Sequence, residues 1–167
     1  MEKQRIKCKT IFKEGAISIE LADQLFLFLK HNIKWEDGIR SKKGFTRKAK
    51  SLSFGELPEV DDVIVSVLNS FVYENDGYVI NGIYLNYYEN ETMWTPNHSH
   101  KGTHQLIISL GASRTLQVGK KDYIMKNSDA IIFGSSIHGV PRSDTPKTER
   151  ISIATFMTPI NIDNLDK

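Results

Sequence analysis

Apolar residues change their spacing about halfway along the chain. In "ISIELADQLFLFLKHNI" (residues 17–33), Leu21, Leu25, Phe28 and Leu29 fall on one face at helical spacing, and Ser18 is placed to cap the N-terminus. From about Asp61, "DDVIVSVLNSFVYEN" repeats the pattern at Val63, Val67, Leu68 and Phe71, which predicts a second helix ending before Gly77. Between them, "WEDGIRSKKGFTRKAKSLSFGELP" has no period and reads as a long surface loop. After Gly77 the texture becomes short β-rich runs: "YVINGIYLNYYE", "HQLIISLG", "RTLQVG", "DYIM", "DAIIFG" and "RISIATF", with "GKKD" as a hairpin turn. Two helices followed by six or more short strands predict an α+β fold whose strands close into a sandwich or barrel.

At 167 residues, with 40% hydrophobic and 25% charged residues, the chain fits one globular domain. Its net charge of +2 demands no nucleic-acid partner, but residues 40–50 hold Arg40, Lys42, Lys43, Arg47, Lys48 and Lys50 without an acid. Cys8 is the single cysteine, which excludes an intramolecular disulfide and a cysteine-based zinc site. A reducing compartment, cytoplasmic or nuclear rather than secreted, is expected. The first ten residues lack the apolar region of a secretion signal, and no apolar run reaches membrane-spanning length.

The candidate chemistry lies in "TPNHSHKGTHQ", where His98, His100 and His104 fall within seven positions of a chain that has five histidines. In an extended segment, residues i and i+2 point to the same side, so His98 and His100 can reach one metal. His138, just beyond "DAIIFG", is a natural third ligand from a later strand. Such a trio leaves coordination positions open for substrate and oxygen. The bland alternative is a polar loop rich in solvated histidines. Asn86 and Tyr88 share a strand face twelve and ten positions before His98, and Arg150 opens the strand "RISIATF". Arginine suits bidentate pairing with a carboxylate.

"LNYYENETMWTPNHSH", "LIISLGASRTLQV", "IHGVPR" and "RISIATF" resemble, in order, the N-x-Y, H-x-D, S-L-G-x-x-R, H-x-V-P and R-x-N-L-T-F-R signatures of the AlkB family. "TRKAKSLSFG" looks like that family's nucleotide-recognition lid. The resemblance implies an iron(II)- and 2-oxoglutarate-dependent dioxygenase on a double-stranded β-helix. It implies a single domain over 1–167, with a helical extension and basic lid to about 77 and the β-helix core over about 78–158. His98, His100 and His138 would hold the iron, while Asn86, Tyr88, Arg150 and Ser152 would contact 2-oxoglutarate, with O2 as the other co-substrate. Arg40, Lys42, Lys43, Arg47 and Lys48 would meet phosphates, and Phe54 and Trp94 (or Phe45) would stack on a base. The implied reaction is oxidative dealkylation of an N-alkylated base, in single-stranded nucleic acid or flipped from a duplex.

Two departures stand out. His100 takes the place of the family's aspartate, so the metal site loses a negative charge. With Arg150 fixed, Ser152 replaces an asparagine and Phe156 the second arginine; aligning on Thr155-Phe156 puts Met157 there instead. Two rival readings follow: a three-histidine cupin-type dioxygenase acting without 2-oxoglutarate, and a catalytically degenerate nucleic-acid-binding homologue. No protein partner is evident from the sequence.

Overall fold

Residues 78–88 and 150–159 alternate in side-chain direction and pair antiparallel along their whole length, from Arg150 opposite Tyr88 to Pro159 opposite Tyr78. This pair forms the spine of the computed structural model, which describes residues 8–38, 40–41, 44–71, 77–143 and 149–160, with backbone alone for 40–41 and 44–45. In chain order the elements are β1 (Ile11–Lys13), α1 (Ile19–Asn32), β2 (Glu36–Asp37), β3 (Arg40–Ser41), β4 (Gly44–Phe45), β5 (Lys48–Leu52) and α2 (Pro58–Asn69). They continue with β6 (Tyr78–Tyr88), β7 (Thr95–His98), β8 (His104–Gly111), β9 (Arg114–Val118), β10 (Lys121–Met125), β11 (Ala130–Phe133), β12 (His138–Val140) and β13 (Arg150–Pro159).

Seven strands, ordered β1-β11-β8-β13-β6-β5-β2, form the major sheet, and β10-β9-β12-β7 form the minor one. This is a double-stranded β-helix with the helices outside it, the expected class. Alternation on the major sheet sorts residues into two cores. Ile83, Leu85, Leu106, Ile108, Leu110, Ile151 and Ile153 pack with Ala22, Leu25 and Leu29 of α1 and Val60, Val63, Ile64 and Val67 of α2. Tyr88, Ile107 and Ala154 face the other way and meet Leu116, Val118, Phe133 and Val140 between the sheets.

Local chemistry accounts for the element ends. Ser18 Oγ accepts from the Leu21 amide and caps α1 as expected. Helix α2 starts three residues earlier than the apolar repeat suggests, because Pro58 occupies its first turn, with Glu59 and Asp61 favourably placed there. The "GKKD" turn joins β9 to β10 with Val118 opposite Lys121, and Gly119 adopts φ 62°.

The stretch read as a surface loop differs most. Lys48–Leu52 forms a strand hydrogen-bonded to β6, and β2 extends the sheet beyond it. Ala49 and Leu52 are buried on opposite faces of this strand, and Lys48 and Lys50 are half-buried on the face of Leu52. With residues buried on both faces and two lysines among five residues, no hydropathy alternation marks the strand. The β-helix therefore draws strands from before residue 78 as well as after it.

Candidate metal centre and cavity

Strands β7 and β12 pair with His98 directly opposite His138, and His100 follows two residues after His98. One ligand atom from each of the three imidazoles lies within 4.8 Å of the others. His138 is buried, and the other two are half-buried. The backbone fixes two tautomers. His98 Nδ1 is 2.8 Å from the Pro96 carbonyl and His138 Nδ1 is 2.9 Å from that of Ser136. A carbonyl only accepts, so each Nδ1 carries the proton and each Nε2 keeps its lone pair for a metal. Burial pulls the His138 pKa down to about 4, and it lowers that of His100, with nearby His98 adding to the effect. Desolvation therefore favours the neutral, metal-binding form.

The triad opens on a cavity of about 500 Å³ between the two sheets, whose wall also carries Asn86, Tyr88, Arg150 and Ser152. Arg150 is 1% exposed. Its Nε donates to Ser109 Oγ at 2.8 Å, its guanidinium lies 5.4 Å from the Tyr88 ring centre, and Nη1 and Nη2 have no hydrogen-bond partner among the described residues. Burial lowers its pKa to about 10, an effect that neighbouring Tyr88 partly offsets, so it is charged at neutral pH. A buried, charged fork with both terminal nitrogens uncommitted has the donor geometry that matches a carboxylate. Tyr88 directs its hydroxyl to Thr95 at 2.6 Å, and Asn86 Nδ2 lies 3.3 Å from Ser152 Oγ.

The basic stretch is placed differently from expectation. Arg47 is 6% exposed and lines this cavity. Its Nε donates to Asn86 Oδ1 at 2.6 Å, its Nη1 donates to Thr46 Oγ1, and its guanidinium lies 5.9 Å from the Tyr84 ring centre. Lys48 pairs with Asp37 and Lys50 with Glu36, so the described lysines of the supposed phosphate-binding lid already have acidic partners. Lys42 and Lys43 lie outside the described residues, as do the side chains of Arg40 and Phe45. Phe54 is 46% exposed and does not line the cavity. Nor does Trp94, which is half-buried with the Arg142 guanidinium 5.3 Å from its ring centre.

His104 stands apart from the triad. It is buried against Tyr78, with Nδ1 3.1 Å from the Tyr78 hydroxyl. Gln105 and Ser109 escaped the sequence reading, and Phe156 entered it only as the residue at the second-arginine position. Gln105 is fully buried, with its amide nitrogen 3.4 Å from His138 Nε2; Ser109 holds Arg150; Phe156 packs edge-on against His100, ring centres 4.9 Å apart. Their common signal is register, since β13 sets Ser152 opposite Ser109 and Phe156 opposite Gln105.

No family model matches the chain, and no curated protein matches it by sequence. Its fold is shared with solved structures at low identity. A Pseudomonas putida prolyl-4-hydroxylase superposes with a TM-score of 0.58 at 9% identity, over 91% of this chain and 93% of the other. HygX from Streptomyces hygroscopicus, solved with nickel and 2-oxoglutarate bound, gives 0.64 at 10% identity over 90% and 82%. A Trichoplax adhaerens prolyl hydroxylase in complex with a hypoxia-inducible-factor peptide gives 0.61 at 12% identity over 89% and 83%. Among the described residues, no helix is long and apolar enough to cross a membrane.

Proposed function

We propose that this protein is an iron(II)- and 2-oxoglutarate-dependent oxygenase whose metal is held by His98, His100 and His138. One observation carries the reading: a three-imidazole cluster and a fully buried arginine with two uncommitted nitrogens share a single cavity. The donor set fits the metal, because three neutral nitrogens within reach of one point suit a divalent transition ion and leave positions open. The orphaned fork of Arg150 fits the distal carboxylate of 2-oxoglutarate.

When bound, the ferrous ion and co-substrate supply the oxidation: O2 is consumed, 2-oxoglutarate becomes succinate and CO2, and a substrate C–H bond is hydroxylated. The chain's own part is binding and placement. Arg150 holds the carboxylate from the buried wall of the cavity, with Ser109 fixing its orientation. Ser152 and Asn86 present polar groups one same-face step along the strands, and Tyr88 walls the deep end. Gln105 offers its amide beside His138. A three-histidine enzyme working without 2-oxoglutarate has no use for a buried carboxylate receptor, which counts against that alternative.

Within this class, the finer reading is oxidative dealkylation of an N-alkylated nucleobase. The ordered motifs support it, as do the aromatic walls of Tyr84 and Phe156, which suit a planar ring. The described lysines add nothing, since both are ion-paired. The test is succinate and formaldehyde release by the iron-loaded protein with 2-oxoglutarate and an N-methylated single-stranded oligonucleotide. Both products are expected. Succinate without formaldehyde removes the nucleobase and leaves the class; failure to bind 2-oxoglutarate removes the class itself.

A further inference from the structure

The cavity holds more positive charge than the co-substrate neutralises. Among the described residues its wall contains no aspartate or glutamate, whereas Arg47 and Arg150 both line it. A divalent ion on three neutral imidazoles keeps both its charges, so metal and guanidiniums together present four, and dianionic 2-oxoglutarate cancels two. Other enclosed or lid cations are accounted for. Arg114 is buried without a carboxylate, but its nitrogens donate to the Met93, Pro141 and Asn90 carbonyls and tie loops together. Lys48 and Lys50 have their acids.

Arg47 has neither. Among the described residues its contacts are Asn86, Thr46 and the Tyr84 ring, all neutral, and no acidic group pairs with it. Burying an unpaired guanidinium is costly unless an anion arrives to complete it. Its position separates it from Arg150. Along β6, Tyr88 lies opposite Arg150, while Asn86 and Tyr84, which Arg47 touches, come two and four residues earlier. Each same-face step is roughly 7 Å. Arg47 thus serves the part of the cavity toward Ala154 and Phe156, on whose side His100 lies. Asn86 holds its fork in place and contacts Ser152 in turn.

Resting on the oxygenase reading above and not on its nucleobase refinement, which it would replace, we infer that Arg47 is a substrate-anion receptor: the primary substrate carries a carboxylate or phosphate monoester that enters the cavity and pairs with Arg47. Its burial fits a group inserted into the cavity rather than a phosphate passing along the surface.

The test is a ligand-observed NMR titration of the full chain, loaded with zinc(II) as a redox-inert metal and with 2-oxoglutarate. The probes are benzoate, phenyl phosphate and the neutral control benzamide. At least one anion should bind about tenfold more tightly than benzamide, a charge-assisted pair's worth of preference, and the better of the two identifies the anionic group. Arg47→Gln should erase the preference and Arg47→Lys should keep part of it, while 2-oxoglutarate affinity should change by less than the anion affinity in both, since Arg47 reaches the co-substrate side of the cavity only through Asn86. Benzamide binding as well as both anions, or no anion binding at all, overturns the inference. A loss of 2-oxoglutarate affinity in Arg47→Gln that equals or exceeds its loss of anion affinity also overturns it, by assigning Arg47 to the co-substrate. The wild-type comparison needs no variant, so a misfolded Arg47→Gln leaves it decisive. Failure of wild type to bind 2-oxoglutarate is a separate result that removes the oxygenase reading, and anion preference is then read on the zinc-loaded protein alone.

Discussion

His98 and His138 are direct partners across the β7–β12 pair, with ring centres 4.3 Å apart, although forty residues separate them in sequence. The sheet itself, rather than a flexible loop, sets the distance between two of the three candidate ligands. Replacing His138 with alanine should therefore remove most metal affinity, and His100→Asp should retain it by supplying a charged oxygen donor. His104→Gln should leave metal stoichiometry unchanged, because His104 packs on Tyr78. Metal analysis after dialysis checks all three; metal loss in His104→Gln with His138→Ala unaffected would reverse the assignment.

Gly139 follows His138, and the sheet closes tightly around it. A Cβ there would meet Asn97 Oδ1 and come within 2.9 Å of the Thr95 carbonyl oxygen. Gly139→Ala should force β12 away from β7 and pull His138 off its partner. The expected result is a folded protein that has lost about tenfold or more in metal affinity, the scale of a disturbed ligand orientation. Unchanged zinc binding by calorimetry would show that the two strands can part without cost to the site.

Acid should destabilise the metal-free protein through His138. Burial lowers its folded pKa to about 4, whereas the unfolded chain protonates it near 6.5. A depressed folded pKa contributes stability that is whole above the unfolded value and fades as pH falls toward the folded one. Between about pH 6.5 and 4, wild type should lose up to about 3 kcal/mol relative to His138→Gln. Parallel melting curves for the two proteins over that range would contradict the buried neutral imidazole.

Arg150 should carry opposite signs for stability and binding. Without co-substrate its guanidinium is buried and lacks a carboxylate, so Arg150→Met should melt at or above the wild-type temperature. Adding 2-oxoglutarate should raise the melting temperature of the metal-loaded wild type and leave that of Arg150→Met unmoved. An equal rise in both would place the co-substrate elsewhere.

The sequence pattern carried the helices, the β-rich second half and the histidine spacing, because each is local: a capped helical period, short strands between turns, an i, i+2 pair. Arg47 was legible only as charge. Its burial depends on Asn86, thirty-nine residues away, and on β5 pairing with β6, which two half-buried lysines in the strand disguise. Gln105 and Ser109 were hidden for another reason. In "HQLIISLG" seven consecutive residues are buried, so alternation is invisible and only pairing with β13 shows which residues face the cavity. The expected phosphate contact of Lys48 was read from charge alone, and the sequence does not show its acidic neighbour across the strand pair, Asp37.

The central claim, that Arg150 receives a carboxylate of 2-oxoglutarate beside a three-histidine metal, is tested most directly by anaerobic calorimetric titration of the iron(II)-loaded protein with 2-oxoglutarate. Wild type should bind one equivalent, and Arg150→Ala should bind about ten- to a hundredfold more weakly, the roughly 1.5–3 kcal/mol of one charge-assisted contact. Equal affinity in the two proteins, or no binding to wild type, would contradict it.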